Sequence, residues 1–335
     1  SRQAQFASIG AEGQAHLSRA RVLLCGCGAL GSVIANTLAR AGVGHLRIVD
    51  RDFVEISNLQ RQVLFDEDDA ASRLPKAICA AEKLRKINSE ITIEPIVADL
   101  TASTLPPLLD GVDLILDGLD NFETRFLLND ASIERGVPWI FGGCLGAEGQ
   151  SMTIVPGVTP CYRCLIPEPP DAGTALTCDV AGVLGPIINV IASVQCAEAL
   201  KILSGAVDAV RKSLLLIDVW TNYYREMSFE GLANEDCPCC KRREFPWLEG
   251  RRSNPPVVLC GRNAVQISPD SPQKWTIEEA KAKLAPFGEV TTNRFLARAI
   301  VGELEVTLFL DGRAIIQGTQ DPAVARTLYA KCVGN

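Results

Sequence analysis

The sequence has no excess of positive charge and no long uninterrupted apolar run. Its 33 Lys and Arg residues are outnumbered by 40 Asp and Glu residues, for a formal net charge of −7. This balance argues against nucleic acid or an anionic membrane as the main partner. The longest apolar stretch, residues 183–203, is interrupted by Pro186, Glu198 and Lys201 among others. We therefore predict a core helix there rather than a membrane span.

We also find no secretory signal, and we therefore expect a cytoplasmic protein. Thirteen cysteines in a chain of 335 residues then indicate reduced thiols and metal ligands rather than a disulfide framework. Apolar residues make up 47% of the chain, which is ample for a core and gives no sign of disorder. The length predicts one large domain and one small one.

The sequence is organised around a glycine motif near the N terminus. An apolar segment at 22–24 runs into G-x-G-x-x-G, formed by Gly26, Gly28 and Gly31, and a second apolar segment ends at Asp50. In such a motif the first glycine permits a tight turn, the second lets backbone approach a phosphate, and the third lets the helix pack on the strand. Asp50 can accept hydrogen bonds from ribose hydroxyls. These residues predict a nucleotide site.

The residues that follow distinguish between kinds of nucleotide. A glycine motif with a ribose acid is commonest in dinucleotide dehydrogenases. For any one of the charged residues that follow Asp50, the alternative is a solvated loop without a ligand. A dehydrogenase, however, has no need for Asn58, Arg61 and Lys76 converging just past its ribose site. Arginine offers a planar fork for phosphate oxygens and lysine offers a point charge. The set favours a triphosphate.

The string D-x-D-x-V-x-x-S-N-L-x-R-Q, which starts at Asp50, together with the glycine motif and a downstream lysine, resembles the ThiF/MoeB/HesA family. These are adenylyltransferases related to ubiquitin-activating enzymes, and the resemblance covers about residues 2–240. It implies that ATP adenylates the C-terminal Gly-Gly carboxylate of a ubiquitin-like sulfur-carrier protein (ThiS/MoaD-like). The residues then expected to bind ATP are Gly26, Gly28, Gly31, Asp50, Asp52, Ser57, Asn58, Leu59, Arg61, Gln62, Lys76, Asp120 and Asn121.

Two further residues acquire roles through this resemblance. Asp120 follows an apolar segment at 114–116, and acids past a strand end lie where α/β sheets bind ligands. A carboxylate there suits Mg²⁺, although Asp120 is also a candidate N-cap of the next helix. Arg2 matches a family arginine that reaches across a homodimer to the partner's ATP. The alternative is a frayed chain end.

Strand and helix patterns alternate along the first part of the chain. Apolar segments at 46–49, 91–97 and 114–116 alternate with helical patterns, of which 77–87 is one. We predict an α/β fold with a doubly wound, mostly parallel, Rossmann-like sheet of the ThiF/MoeB type. Residues 1–240 are expected to form the ATP-binding domain.

Two C-x-x-C pairs lie 72 residues apart, and each can hold one tetrahedral cation with two thiolates. A redox C-x-x-C is the alternative, and Cys239 complicates the choice of ligands in the second pair. The resemblance implies a closed structural zinc site. Its expected ligands are Cys161, Cys164, Cys237 and Cys240.

A further cysteine, Cys178, follows a Pro- and Gly-rich stretch at 167–174. A thiol on a loop over a nucleotide site is a candidate nucleophile. Some members of the resembling family take the carrier as a thioester or acyl disulfide at this position and others do not. A small, half-buried cysteine without a role is the alternative.

Past Cys240 the chain becomes basic and rich in proline, which predicts a linker at 241–255. Residues 256–335 are expected to form a small α+β domain. Thr276 and Glu279 form a capping box that opens a helix ending near Leu284, Asp311-Gly312 is a hairpin turn, and a last helix starts at the Asp-Pro pair 321–322. This domain is either a docking module for the carrier or another partner, or a stabilising appendage.

The sequence thus predicts an adenylyltransferase that uses ATP, Mg²⁺ and Zn²⁺, acts on a ubiquitin-like sulfur carrier for thiamine, molybdopterin or related thiolation, and works as a homodimer. The expected catalytic residues are Arg2, Arg61, Lys76, Asp120 and Cys178. One alternative is an activating enzyme for ubiquitin-like conjugation with an obligatory Cys178 thioester. Another is a non-catalytic scaffold subunit of a heterodimer.

Overall fold

A computed structural model describes residues 2–170, 181–252, 257–259, 263–269 and 273–334. Contacts divide the chain into two compact units, Ser1–Arg252 and Ser253–Asn335. The first unit continues past residue 240, where the sequence predicts the end of the ATP-binding domain. The assignment of these units to functional domains remains a prediction.

The first unit is built on an eight-stranded sheet with the order β3-β2-β1-β4-β5-β6-β7-β8. The five strands from β3 to β5 run parallel, and the last three pairings are antiparallel. The strands are β1 Arg21–Cys25, β2 His45–Val49, β3 Thr92–Ile96, β4 Leu114–Asp117, β5 Trp139–Leu145, β6 Glu148–Ile154, β7 Ser213–Asp218 and β8 Tyr223–Ser228. The predicted mostly parallel α/β sheet is confirmed.

Helices cover both faces of this sheet, so that two separate apolar cores form. One core contains residues of α2, α3, α5 and α9, and the other contains residues of α6, α7 and α8. The helices among the described residues of the unit are α1 Arg2–Gln5, α2 Gly10–Leu17, α3 Ala29–Ala41, α4 Glu67–Ser72, α5 Lys76–Ile87, α6 Leu105–Leu108, α7 Phe122–Arg135, α8 Tyr162–Leu165 and α9 Gly185–Ser204. Burial on both faces explains why the central parallel strands β1 and β4 are continuously apolar over residues 22–25 and 114–116.

The helix α9 corresponds to the longest apolar stretch of the sequence. By length and hydropathy it is the one helix among the described residues that could cross a membrane, and half of it is buried inside the protein. It packs on α3, on β5 and on β6. These contacts are those of a core helix.

The side of the sheet on which strands are added switches between β3 and β4, although β1 and β4 run parallel. After β1 the chain adds β2 and then β3 on one side, and it returns to place β4 on the other side of β1. The carboxyl ends of β1, β2, β4 and β5 lie at one edge of the sheet because these strands are parallel. Ligands of doubly wound folds bind at such a switch point.

The second unit is a six-stranded antiparallel sheet with the order β11-β12-β13-β14-β10-β9. Thr276 caps a helix as predicted, with the reciprocal Glu279 contact, and Asp321 caps the last helix. The elements are β9 Val257–Leu259, β10 Ala264–Ile267, α10 Ile277–Leu284, β11 Val290–Thr292, β12 Leu296–Val301, β13 Leu304–Phe309, β14 Ala314–Gln317 and α11 Pro322–Val333.

Candidate active site

The glycine motif forms a tight loop between β1 and α3. Gly26 has φ +88°, and a Cβ there would lie 2.6 Å from the carbonyl oxygen of Gly118. A Cβ on Gly31 would collide with the carbonyl oxygen of Gly26. The loop, the start of α3 and the loop after β4 therefore approach more closely than side chains would allow.

The outer face of this loop is open. A Cβ added to Gly28 would find only the amide nitrogen of Gln62, 3.8 Å away. The first turn of α3 has no side-chain cap, so its N–H groups and the positive end of the helix dipole can receive an anion. This is the geometry of a phosphate site.

Asp50 follows β2, and its carboxylate accepts two backbone hydrogen bonds, one of them from the glycine loop. Its Oδ2 accepts from the N–H of Cys27 at 2.7 Å, and its Oδ1 accepts from the N–H of Asp52 at 2.7 Å. Burial raises the pKa of the Asp50 carboxyl above its ordinary value, although Lys76 opposes the shift. The carboxylate positions the glycine loop and retains lone pairs for a ribose.

Lys76 begins α5 and is buried, with 3% of its surface exposed. Its Nζ lies 3.3 Å from Oδ2 of Asp52, and its backbone N–H donates to the carbonyl of Asp52 at 2.8 Å. An ammonium group held this way has few rotamers left. The structure thus brings Asp50, Asp52 and Lys76 together beside the glycine loop.

The Ser-Asn-Leu-Gln-Arg-Gln string forms a compact turn. The N–H groups of Arg61 and Gln62 donate to the carbonyl of Asn58 at 3.1 and 3.0 Å, and the Arg61 guanidinium donates to the carbonyl of Ser57 at 3.0 Å. Leu59 is half-buried in this turn.

Gln62 carries the clearest mark of a ligand site in this turn. Its Oε1 is buried and has no hydrogen-bond partner among the described residues, while its Nε2 lies over Gly28. Buried polar atoms are normally satisfied. A group bound over the glycine loop would satisfy this one.

The loop after β4 carries Asp120, which is exposed. The structure corrects one expectation here, because the N-cap of α7 is Asn121, whose side chain accepts from the N–H of Thr124 at 2.9 Å. Asn121 is one residue closer to the helix, so its short side chain can close the capping ring. The Asp120 carboxylate is left without a capping role, and its oxygens suit a hard cation such as Mg²⁺.

Arg125, which the sequence analysis does not single out, holds this loop in place. Its Nε donates to Oδ2 of Asp117 at 3.0 Å, and its Nη2 donates to the carbonyl oxygens of Leu119 at 2.7 Å and Gly142 at 3.0 Å. Burial raises the pKa of the Asp117 carboxyl, and the Arg125 charge opposes that shift. Asp117 and Arg125 are eight residues apart, with a loop and a helix turn between them. No local sequence pattern marks this spacing, so the pair can be identified only from the structure.

Arg2 does not join the other expected catalytic residues within one chain. The next residue, Gln3, donates to the carbonyl of Ala41 at 2.9 Å, and Gln14 donates to the same carbonyl at 3.0 Å. Ala41 is the last residue of α3, whereas the glycine loop adjoins its first. A helix of 13 residues is about 20 Å long, too far for an arginine side chain to span.

The four expected zinc ligands do converge. The Sγ atoms of Cys161, Cys164, Cys237 and Cys240 all lie within 4.8 Å of one another. The pairs Cys161–Cys237 and Cys164–Cys240 are each 3.6 Å apart. Zn–S bonds of about 2.3 Å place tetrahedral sulfurs about 3.8 Å apart. The donor set therefore fits one zinc ion.

Cys239, the competing ligand, is not one of the four cysteines of this cluster. Its Sγ accepts a hydrogen bond from Nδ2 of Asn129 at 3.1 Å, and the Oδ1 of Asn129 accepts from the N–H of Tyr162 at 2.8 Å. Asn129 lies on α7 and Tyr162 lies on α8, so these hydrogen bonds connect α7 with both cysteine segments. Cys178 lies outside the described residues.

Comparison with known proteins decides the family. The model for the ThiF family matches residues 1–239. The chain belongs to the ThiF family. A sulfur carrier protein ThiS adenylyltransferase of Bacillus subtilis is 41% identical over 335 residues, which is 100% of this chain and 98% of that relative.

Further relatives align with most of the chain. A sulfur carrier protein adenylyltransferase of Thermus thermophilus is 38% identical over 244 residues, 71% of this chain and 89% of its own. The SAMP-activating enzyme E1 of Haloferax volcanii is 41% identical over 235 residues, 69% of this chain and 84% of its own. The crystal structure of E. coli MccB with ATP has a TM-score of 0.59 at 24% identity, over 68% of this chain and 69% of that one, which shows the shared fold.

Proposed function

We propose that this protein adenylates the C-terminal carboxylate of a ubiquitin-like sulfur carrier of the ThiS type, with ATP as the donor. One observation carries the proposal. A buried lysine, an arginine-bearing turn and a buried glutamine oxygen without a hydrogen-bond partner among the described residues lie around an open glycine loop, in a chain that aligns end to end with a ThiS adenylyltransferase. The same alignment favours ThiS over other sulfur carriers as the substrate.

The reaction needs no general base, because a terminal carboxylate is ionised at neutral pH. A carboxylate oxygen forms a bond to the α-phosphorus of ATP while the bond from that phosphorus to the pyrophosphate oxygen breaks. The products are an acyl-adenylate and pyrophosphate. The protein has to hold the reactants in line and balance charge on the phosphates.

The residues of the site divide this work. The N–H groups of the glycine loop and α3 hold phosphate, Asp50 and Gln62 offer acceptors for the nucleoside, and Lys76 and Arg61 balance charge on the phosphates. Mg²⁺, when bound, would neutralise phosphate oxygens, and Asp120 is the residue that would hold it. Asp52 holds the Lys76 ammonium group in position.

The zinc would be structural. Four thiolates fill a tetrahedral shell and leave no open position for a substrate. Its ligands join the segment that contains α8 to the segment 237–240, and Asn129 links both to α7. We infer that the zinc stabilises the face of the sheet on which α7 lies.

The position of Arg2 supports a homodimer with sites completed in trans. Gln3 holds the N-terminal helix at the far end of α3, so Arg2 reaches a nucleotide only in another subunit. Each active site would then contain Lys76 and Arg61 of one chain and Arg2 of its partner.

A second candidate is activation of a carrier for ubiquitin-like conjugation, which the similarity to a SAMP-activating enzyme E1 favours. In that case Cys178 forms a thioester after adenylation. A Cys178→Ser variant would keep carrier-dependent pyrophosphate exchange under both candidates. It would lose a covalent, thiol-sensitive carrier adduct only under the second. We also propose that the protein works in the cytoplasm, where its thiols stay reduced.

The experiment that tests the proposed function is isotope exchange between pyrophosphate and ATP, with and without ThiS of Bacillus subtilis. Exchange that requires ThiS and its terminal Gly-Gly supports the proposal. Exchange that is independent of any carrier would contradict it.

A further inference from the structure

Arg51 stands directly after Asp50, the acid expected at the ribose, and forms an ion pair with Asp99. Its Nη1 donates to both carboxylate oxygens of Asp99, at 3.1 and 3.2 Å. The side chain of Arg51 is 20% exposed and that of Asp99 is 16% exposed. Among the described residues the guanidinium donates from Nη1 alone. The pair is therefore held in a fixed geometry while part of each side chain stays accessible.

The pair lies at the edge of the sheet that carries the nucleotide site. Arg51 follows β2 and Asp99 follows β3, and these parallel strands are in register up to Val49 and Ile96. The N–H of Asp50 donates to the carbonyl of Ile96 at 3.1 Å, which ties the loop after β2 to the end of β3. The sheet order β3-β2-β1 then places Asp99 on the far side of Asp50 from the glycine loop.

A nucleotide bound along this edge brings its base to the pair. The glycine loop after β1 suits phosphate, and Asp50 after β2 suits ribose hydroxyls. The order phosphate, ribose, base along a nucleotide therefore matches the order β1, β2, β3 along the sheet. Two strand intervals of about 4.8 Å span about 10 Å, which is the scale of a nucleoside 5′-phosphate.

The loops around the pair also offer an apolar wall for a flat base. Ala98 precedes Asp99, and Leu119 lies in the loop after β4. Both side chains are half-buried and pack on the same core of the sheet. A base that enters between these loops would have apolar groups on one side and the Arg51 guanidinium on the other.

Carboxylates of three loops act on Arg51. Burial lowers the pKa of its guanidinium, but Asp99, Asp52 and Asp120 more than offset this effect, so the net shift is upward. Arg51 therefore stays charged and lies in the crevice shared by the loops after β2, β3 and β4. Because Asp120 is the expected magnesium residue, balancing phosphate charge is the alternative to a role for Arg51 at the base.

The chemistry of the two side chains suits adenine. A guanidinium is planar and stacks on the faces of bases. The Asp99 carboxylate keeps lone pairs beyond those used by Arg51, and the amino group at position 6 of adenine is a donor. A purine without that group would leave the carboxylate without this hydrogen bond, and guanine has a carbonyl acceptor at the same position.

We propose that Arg51 and Asp99 form the adenine subsite of this protein. The guanidinium covers one face of the base, and the carboxylate accepts a hydrogen bond from the amino group. Asp99 is then the residue that selects adenine, and Arg51 is the residue that holds the base in place. The inference rests on the proposed function, because it takes ATP as the bound nucleotide.

The first test measures the Kd of AMP, ADP and ATP by calorimetry in wild type, Arg51→Ala and Arg51→Lys. Contact with the base predicts that Arg51→Ala raises all three Kd values by the same factor, about tenfold. Arg51→Lys should restore little, because lysine keeps the charge and lacks the plane. Arg47→Ala is the matched control, since Arg47 pairs with Glu94 on the same two strands, and it should leave the three Kd values unchanged.

Two outcomes of this test would overturn the assignment of Arg51. One is a loss that grows with the number of phosphates and is restored by Arg51→Lys, which would assign the arginine to phosphate charge. The other is an unchanged Kd for every nucleotide in Arg51→Ala.

The second test compares ATP with purine riboside triphosphate, which differs only in lacking the amino group at position 6. Wild type should bind ATP at least about tenfold more tightly, and Asp99→Ala should bind the two alike. The same preference in wild type and Asp99→Ala, with ThiS-dependent exchange intact, would overturn the subsite and leave the proposed function standing. Failure of wild type to bind ATP would count against the proposed function itself.

Discussion

The side chain of Gln3 donates a hydrogen bond to the carbonyl oxygen of Ala41 at 2.9 Å. This bond ties the N-terminal helix to the end of α3 that lies farthest from the glycine loop. It places Arg2 far from the nucleotide site of its own chain. Catalytic use of Arg2 therefore requires a second subunit.

The first prediction concerns this arrangement. Arg2→Ala and Lys76→Ala homodimers should each be nearly inactive in ThiS-dependent exchange. When the two are mixed and exchange subunits, half of the dimers are mixed and each has one intact site, so activity should recover to about a quarter of wild type.

Subunit exchange in that experiment is verified with differently tagged chains. A Gln3→Ala variant should also lose activity in part, since it frees Arg2 from its anchor. No recovery after proven exchange would mean that Arg2 acts within its own chain or has no role.

The second prediction concerns the buried lysine. Lys76→Ala should lower the rate of exchange by about 10²–10³-fold, because a charge fixed against the phosphates is lost. The matched control is Lys83→Ala on the same helix, where Lys83 pairs at the surface with Asp66 and Asp69. That variant should keep its activity and lose no more than about 1 kcal/mol of stability. Equal losses in the two variants would argue that Lys76 acts only through folding.

The third prediction concerns the metal. The protein should contain about one zinc ion per chain, and Cys164→Ser should lower both the zinc content and the melting temperature. Cys239→Ser is the matched control, because Cys239 lies beside the cluster but bonds to Asn129. Metal analysis that finds zinc retained in Cys164→Ser and lost in Cys239→Ser would reverse the ligand assignment.

The fourth prediction concerns Arg125. Arg125→Met leaves the Asp117 carboxylate buried without its cationic partner, although the N–H of Leu119 still donates to it. The loss should cost about 3–5 kcal/mol of stability. Replacing both members, as in Asp117→Leu with Arg125→Met, should restore most of the stability. The exchange rate should remain low in the double variant, since the carbonyl of Leu119 beside Asp120 still lacks its donor. Full activity in a stable double variant would show that the pair serves folding alone.

Much of the nucleotide site could be predicted from the sequence, because local chain geometry fixes it. The spacing of Gly26, Gly28 and Gly31 admits few backbone paths, and Asp50 follows at the distance that a strand-helix-strand unit imposes. The strands at 22–24 and 46–49 appear in the structure within one residue at each end. The capping box at Thr276 is equally local.

Other features depend on contacts between distant parts of the chain. Gly118 is required only because Gly26 and Gly31 press against it. Cys239 and Cys240 are adjacent, and either could pair with Cys237, as C-x-C or as C-x-x-C. The hydrogen bond between Cys239 and Asn129 distinguishes them in the structure. Asp120 and Asn121 are both good caps, and the backbone angles of Asn121 decide between them. The anchoring of Gln3 at Ala41 likewise spans 38 residues.

The central claim is that the open glycine loop and the charges around it activate the terminal carboxylate of a ThiS-type carrier. The most direct measurement is the exchange of labelled pyrophosphate into ATP by the purified protein in three conditions: without carrier, with intact ThiS, and with ThiS lacking its terminal Gly-Gly. We predict exchange with intact ThiS alone, together with an acyl-adenylate on that carrier detectable by mass spectrometry. Exchange in the absence of carrier, or equal exchange with the truncated carrier, would contradict the account.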